Sequence, residues 1–181
     1  PGRRGHPMFS RFLVLCVLLI GLFWPCAAWA VSASTLPEAP PLDRVIDEGD
    51  VLSRATEGEL TNQLEAFGSD HVDAHLITVG RLDYGLTLPE LAAQVVRRWL
   101  DAGAADNQLL FLIDTKASAA AVVVSPGLSG ELNSDLLRST ARTTMALPLR
   151  DGSRYRQASL DGINRLLTVL QGGEDPGEPV L

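Results

Sequence analysis

The sequence has little that could do chemistry through sulfur or imidazole. Its 2 cysteines, Cys16 and Cys26, both lie in the first thirty residues, and there are 3 histidines. A domain folded from the rest of the chain therefore has no disulfide and no cysteine nucleophile or metal ligand. Positive charge is also scarce, because 15 Lys and Arg face 22 Asp and Glu, which gives a net charge of -7. Nucleic-acid binding needs a basic surface, so we expect no nucleic-acid partner.

Motifs that mark common enzyme classes are missing as well. The sequence contains no phosphate-binding loop, no dinucleotide-binding glycine pattern and no EF-hand loop. The stretch Gly127-Leu128-Ser129-Gly130 only loosely resembles the nucleophile turn of serine hydrolases, because its second glycine comes one residue too early. All histidines lie upstream of that serine, which is the wrong order for such a hydrolase. The sequence therefore favours neither nucleotide binding nor serine-hydrolase chemistry.

The two ends of the chain differ in composition from its middle. Arg3, Arg4 and Arg11 precede an uncharged run over residues 12–24, and Ala28-Trp29-Ala30 supplies small residues for a signal peptidase. The run is shorter than the ~20 residues that a membrane span needs. We therefore predict a secretory signal peptide over residues 1–30. Residues 31–41, rich in Ser, Ala and Pro, predict a flexible linker, and residues 172–181 predict a disordered tail.

Residues 42–171 alternate between strand and helix patterns. Short apolar stretches predict strands at residues 45–46 and 76–79. Apolar residues at steps of three and four predict helices after Ser53, over residues 88–100, after Asn133 or Ser134, and over residues 160–170. The third of these is expected to end before Pro148.

The longest apolar stretches within residues 42–171 predict the centre of the fold. Residues 109–113 and 119–124 are two apolar runs of strand length, separated by five polar or small residues, and this spacing predicts two central strands joined in a hairpin. Neither run alternates with polar residues, so helices should cover both faces of the sheet. The sequence thus predicts an α/β fold, a three-layer α/β/α sandwich around a small sheet, built as a single domain.

Acidic side chains occur in the turns that flank the predicted strands. Asp47 opens an acidic turn after the first strand, Asp106 and Asn107 come just before the hairpin, and Asp114 lies in its loop. Ca²⁺ and similar hard cations are bound by several oxygen ligands from such turns, so these residues are candidates for a divalent-cation site. The alternative is that Asp and Asn occupy turns because they cap and hydrogen-bond the backbone.

Arginines are concentrated late in this acidic chain. Five of them lie between residues 138 and 156: Arg138, Arg142, Arg150, Arg154 and Arg156. They form either a solvated helix face or a docking patch for an acidic partner or for membrane headgroups.

Several short motifs follow one another in a recognisable order. Residues 45–53 fit the pattern V-x-D-x-x-x-x-L-S, and residues 76–79, Arg98-Trp99, Asp106-Asn107 and Gly127 come after it. In this order the motifs resemble the TPM-domain family, of which the first is the opening pattern. Residues 51–56, 77–79 and 172–179 resemble in particular the thylakoid-lumen branch, whose members assist photosystem II repair. One departure is Gln108, which follows Asp106-Asn107 where the family more often has glycine.

This resemblance implies an α/β/α sandwich that is exported to the thylakoid lumen or the periplasm. It implies an accessory role in photosystem II assembly or repair, with photosystem II subunits or assembly intermediates as partners. Acid phosphatase activity and divalent-cation binding are attributed to family members, so the alternatives are a metal-dependent acid phosphatase and a passive calcium-binding module. The residues carried over as metal ligands are Asp47, Asp106 and Asn107, with Asp114 added. Many relatives have a transmembrane helix after the domain; here membrane contact either comes through the N-terminal segment or a partner, or is absent.

Overall fold

A computed structural model describes residues 30–180, and a four-stranded sheet lies at its centre. The strands are β1 (Val45–Asp47), β2 (Asp73–Val79), β3 (Gln108–Asp114) and β4 (Ala119–Val124), and they are adjacent in that order. β1, β2 and β3 are parallel, whereas β4 pairs with β3 in the antiparallel sense that a hairpin requires.

The helices begin where the sequence supplies a side-chain cap. Ser53 caps α1 (Arg54–Glu65), Thr87 and Glu90 form a capping box at α2 (Leu88–Asp101), and Asn133 caps α3 (Ser134–Ser139). A π-helical segment, Thr140–Met145, joins α3 to α4 (Ala146–Arg150), and α5 (Tyr155–Leu170) follows. Within residues 30–180, no helix has both the length and the apolar content that crossing a bilayer requires.

Helices cover both faces of the sheet, and this confirms the predicted three-layer sandwich. The larger core lies on one face, where apolar side chains of α1, α3, α4 and α5 cluster with those of β2, β3 and β4, and the Phe67 and Phe111 rings are 6.3 Å apart. The smaller core lies on the other face under α2, whose Trp99 is fully buried. Every residue of β3 is buried, as its unbroken apolar run predicts.

The prediction that both hairpin strands are central is wrong for the second of them. Among the described residues β3 is central, whereas β4 is an edge strand whose only strand partner is β3. Helices still contact both faces of β4, which accounts for its apolar sequence. An apolar run indicates that two faces are covered; it does not indicate whether the strand has neighbours on both sides.

Pro148 does not end the preceding helix, contrary to the prediction. The chain stays helical from Ser134 to Arg150, because the π-helical segment changes the bonding just before the proline. There the N–H of Ala146 reaches back five residues to the carbonyl of Ala141. Pro148 follows this segment within α4 and has no N–H to bond to the preceding turn.

The segment predicted to be a flexible linker packs against the domain. We call residues 31–41 the N-terminal arm. Leu36 of this arm is buried in the smaller core, and the Trp99 indole N–H donates to the Pro37 carbonyl at 2.9 Å. The Arg98 guanidinium donates to the Ala33 carbonyl as well. These contacts could not be predicted from composition, because the arm is held by its backbone carbonyls and by one leucine. The predicted signal peptide lies, apart from Ala30, outside the described residues.

Residues 172–180, the C-terminal tail, also lie against the domain, although the sequence predicts disorder. Arg165 of α5 is only 5% exposed and forms a two-pronged ion pair with Asp175, at 2.9 and 3.0 Å. The same guanidinium donates to the hydroxyls of Ser139 and Thr144. Ser139 in turn donates to Glu178 at 2.8 Å. A buried arginine inside a helix therefore holds the tail, and composition alone gives no sign of it.

Acidification below pH 6.5 is expected to destabilise the domain through His75. This imidazole is buried beside Trp99, and its Nε2 lies 2.9 Å from the Pro41 carbonyl. Burial lowers the pKa of His75 below its ordinary value of 6.5, against the opposing effects of the Pro41 hydrogen bond and the Asp73 carboxylate. The folded state then holds the proton less tightly than the unfolded state. Stability is complete above pH 6.5 and falls as the pH drops towards the folded pKa.

Urea denaturation at about pH 7.5 and about pH 5.5 measures this dependence. In the His75→Phe variant, most of the loss between these two pH values should disappear. An unchanged loss in that variant would assign the pH dependence to other groups.

Candidate functional site

Asp47 lies at the carboxyl end of β1 and organises the turn that follows. Its carboxylate accepts hydrogen bonds from the backbone N–H groups of Val51 and Leu52, at 3.0 and 2.8 Å to Oδ2. It also accepts a 2.5 Å hydrogen bond from the hydroxyl of Thr78 on β2. The carboxylate therefore binds the turn between β1 and α1 to the neighbouring strand.

Asp114 is the last residue of β3, so it lies at the same end of the parallel strands as Asp47. One of its oxygens, Oδ1, accepts from the N–H groups of Lys116 and Ala117 in the hairpin loop. The two turns meet, because a Cβ added to Gly49 would lie 2.7 Å from the Thr115 methyl group. Asp114 pairs with Val79, however, one residue beyond the partner of Asp47. Since side chains alternate along a strand, the two carboxylates lie on opposite faces of the sheet.

Asp106 and Asn107 lie at the opposite end of the strands, just before β3. Asp106 Oδ1 accepts from the N–H of Gly127 at 2.8 Å, and Asn107 Nδ2 donates to the His71 carbonyl at 2.8 Å. The seven residues of β3 run from this end to Asp114, which corresponds to about 20 Å of extended chain.

The structure therefore does not bring the four predicted metal ligands together. Asp47 and Asp114 lie at the carboxyl ends of β1 and β3, whereas Asp106 and Asn107 lie just before the amino end of β3. Each of these side chains makes hydrogen bonds that order its own turn. Within residues 30–180, no three His, Asp or Glu side chains are placed to hold a metal ion jointly. These contacts match the backbone-bonding alternative considered for the acidic turns. Cation binding by any one of these turns stays a prediction.

A groove of about 760 Å³ runs along the outer side of β4. We call it the β4 groove. Its floor is formed by the five residues from Ala120 to Val124. One wall comes from α2, including Val96 and Leu100, and the other from α3 and the π-helical segment, including Leu137 and Ala141.

The β4 groove is basic in an acidic protein. Arg97 of α2 lies on one wall, Arg138 and Arg142 lie on the other, and none of the described residues that line the groove is acidic. Arg138 has one exposed partner, Asp135, at 3.4 Å. Arg97 and Arg142 form no ion pair with any residue of the described chain. Arg138 and Arg142 belong to the late arginines of the sequence. Arg97 could not be predicted to join them, because its place on the groove wall depends on where β4 lies.

The other three late arginines lie outside the β4 groove. Arg156 is held by Glu59 through two hydrogen bonds of 2.7 Å, and Arg154 pairs with Asp151 at 2.7 Å. Arg150 is exposed at the end of α4. The late arginines thus do not form one patch, and the groove singles out two of them.

Comparison with known sequences places the fold in a family. The sequence profile of the TPM domain matches residues 45–169, more than half of the chain. The chain belongs to the TPM domain family. A curated relative is the chloroplastic UPF0603 protein of Arabidopsis thaliana, 25% identical over 159 residues that cover 85% of this chain and 55% of that protein. The chain thus spans about half the length of this TPM relative.

Solved structures support the TPM fold. The N-terminal domain of a Porphyromonas gingivalis protein, determined by NMR, superposes with a TM-score of 0.70 at 21% identity, covering 84% of this chain and 99% of that domain. A protein from Bizionia argentinensis gives a TM-score of 0.51 at 14% identity, covering 68% of this chain and 83% of that one. At these identities the likeness concerns the fold alone.

Proposed function

We propose that this TPM domain is an exported accessory factor that acts by binding a protein partner during photosystem II assembly or repair, in the thylakoid lumen or the periplasm. The observation that carries the proposal is the β4 groove, an open surface that combines apolar walls with arginines. Its place in photosynthesis rests on the resemblance of residues 51–56 and 172–179 to the thylakoid-lumen branch, and on the chloroplastic relative from Arabidopsis.

The side chains of the groove favour binding over catalysis. Its lining consists of aliphatic residues, prolines, two serines and three arginines, without a histidine, carboxylate or thiol that could act as a general base or nucleophile beside those serines. Buried apolar contact area with a basic rim is the composition of a protein-recognition surface. We therefore assign the groove to partner binding.

Retention of photosystem II subunits by the immobilised full chain tests this proposal. Detergent-solubilised thylakoids are passed over the wild type, the Arg142→Glu variant and the Arg150→Glu variant, and bound subunits are identified by mass spectrometry. The two variants change the net charge equally, but only Arg142 lines the groove. We expect retention by the wild type and by Arg150→Glu, and its loss in Arg142→Glu. No retained photosystem II subunit, or equal retention by both variants, would overturn the proposal.

The competing hypothesis is a metal-dependent acid phosphatase, and it has a separate readout. Release of phosphate from p-nitrophenyl phosphate is measured with Ca²⁺ or Mg²⁺ for the full chain and for Asp106→Ala. We expect no cation-dependent turnover that requires Asp106. Its carboxylate accepts a hydrogen bond from the Gly127 N–H and lies at the opposite end of the strands from Asp47. Robust turnover that disappears in a folded Asp106→Ala variant would replace the binding proposal with the enzyme.

A further inference from the structure

We propose that the β4 groove takes an extended acidic segment of the partner protein, which adds to the sheet as a fifth strand beside β4. This inference rests on the proposed function, because it specifies how the domain recognises its partner. Strand addition of this kind combines main-chain hydrogen bonds along an open sheet edge with side-chain contacts on both faces.

The backbone of β4 has a free hydrogen-bonding side. Ser125 directs its N–H to the Gln108 carbonyl of β3, at 2.9 Å. In an antiparallel pair successive residues point alternately towards and away from the partner strand. Given the register of the pair, residues 119, 121 and 123 face β3, whereas Ala120, Val122 and Val124 direct their N–H and C=O groups outwards. No other part of the described chain bonds to those outward groups.

The sequence of β4 does nothing to protect this edge. Edge strands of soluble proteins commonly carry a lysine, a proline, an inward-pointing charge or a bulge, each of which blocks pairing with another chain. β4 has none of these over its six residues, which are three alanines followed by three valines, and it pairs with β3 in unbroken register. An edge that is apolar, regular and open is a template for a further strand.

The arginines define the charge of the segment that fits. An added strand would place alternate side chains towards α2, where Arg97 lies, and towards α3, where Arg138 and Arg142 lie. Carboxylates on the incoming segment would meet these guanidinium groups on both faces, and apolar side chains between them would contact the groove walls. The five floor residues offer about 17 Å of strand, enough for a segment of five or six residues.

The same charges disfavour a second copy of this chain as the occupant. Edge-to-edge pairing of two β4 strands would combine two sets of three arginines on one continuous surface, and no carboxylate of either groove would offset them. An acidic segment relieves this repulsion, whereas a second copy increases it.

The test uses the octapeptide acetyl-Glu-Glu-Val-Val-Glu-Glu-Val-Val-amide and the full chain labelled with ¹⁵N. This pattern places both glutamate and valine on each face of an added strand. One control peptide has lysine in place of glutamate, and another carries N-methyl groups on alternate amides, which cannot donate to a strand edge. We expect saturable binding of the acidic peptide, with shifts and slowed exchange at the outward amides of Ala120, Val122 and Val124.

Weaker binding of both control peptides, by about tenfold or more, supports recognition by charge together with main-chain pairing. Arg142→Glu should weaken the acidic peptide by about fivefold relative to Arg150→Glu. Ala120→Pro removes an outward N–H without breaking a bond to β3, so it should block binding while thermal unfolding shows that the domain stays folded.

Strand addition is overturned if the N-methylated peptide binds as well as its parent, or if the shifts lie outside β4 and its two walls. Concentration-dependent dimerisation through β4 instead of peptide binding would assign the groove to a second copy. If photosystem II subunits are still retained in either case, the binding function survives and only this mode of recognition fails.

Discussion

Replacing Asp175 by asparagine is expected to lower the free energy of unfolding by about 2 kcal/mol. The reason lies with its partner, because Arg165 is 5% exposed and keeps its charge when the carboxylate is removed. A buried ion pair that loses one member commonly costs about 3 to 5 kcal/mol, and the lower figure here reflects the 40% exposure of the Asp175 side chain, which lets water reach the guanidinium. The asparagine amide group would also point N–H donors at a guanidinium that only donates.

Urea denaturation of three variants separates the possible causes. Asp175→Asn should be the least stable, and combining it with Arg165→Met should restore part of the loss, because the uncompensated buried charge is then gone. Asp151→Asn is the matched control, since that carboxylate is 81% exposed and pairs with Arg154 at the surface, where such pairs contribute less than about 1 kcal/mol. Equal losses in Asp175→Asn and Asp151→Asn would show that the C-terminal tail does not anchor the domain.

The same pair has a pH signature at the acid end. Hydrogen bonds from Arg165 and from the Gly177 N–H lower the pKa of Asp175 below its ordinary value of 3.8. The stabilisation is therefore complete above about pH 4 and is lost as the pH falls through the folded pKa. This window begins at a lower pH than that of His75, which begins at about pH 6.5. In Asp175→Asn, the acid-induced loss below pH 4 should become smaller while the loss below pH 6.5 persists.

The sequence predicted features that depend on local chemistry. The caps Ser53, Thr87 and Asn133 each act through the backbone within three residues, so their side chains mark the helix starts without knowledge of the fold. The unbroken apolar run of β3 likewise predicted burial on both faces. These signals were sufficient for the three layers and for most helix positions.

Features that depend on the lateral arrangement of the sheet could not be predicted in this way. Residues 109–113 of β3 and all residues of β4 are apolar, yet β3 is central and β4 has an open edge. Hydropathy depends on the cover above and below a strand and not on its neighbours within the sheet. The β4 groove and the placing of Arg97 on its wall follow from that edge. The contact of Arg165 with the tail was missed for a similar reason, since nothing in a helical arginine indicates which carboxylate folds back onto it.

The predicted metal ligands show a second limit of prediction from sequence. Turn carboxylates such as Asp47 and Asp114 have the same sequence context whether they bind a cation or the backbone. Only the strand register shows that these two carboxylates lie on opposite faces of the sheet. Only the path of the chain shows that Asp106 lies at the opposite end of β3 from Asp114. The sequence identified residues that organise turns, and the structure shows which backbone groups they bind.

Replacing Gly127 by alanine is expected to lower the free energy of unfolding by about 2 to 3 kcal/mol. A Cβ at this position would lie 2.2 Å from the Asp106 carbonyl oxygen and 3.0 Å from its carboxyl carbon. The first of these atoms belongs to the backbone, so no side-chain rotation relieves the clash, and the turn Pro126–Leu128 has to move away from the start of β3. That movement also strains the bond from the Gln108 N–H to the Ser125 hydroxyl, at 2.8 Å.

Gly130→Ala is the matched control, because a Cβ there meets no atom within 4 Å, and its effect should stay within about 0.5 kcal/mol. Urea denaturation compares the two variants, and similar stabilities would contradict a structural requirement at Gly127. Asp106→Asn then separates the two roles of its partner. An asparagine oxygen can still accept from the Gly127 N–H, so a turn-organising role predicts nearly normal stability. A large loss of cation-dependent stabilisation in that variant, with normal stability in the absence of cation, would instead identify Asp106 as a metal ligand.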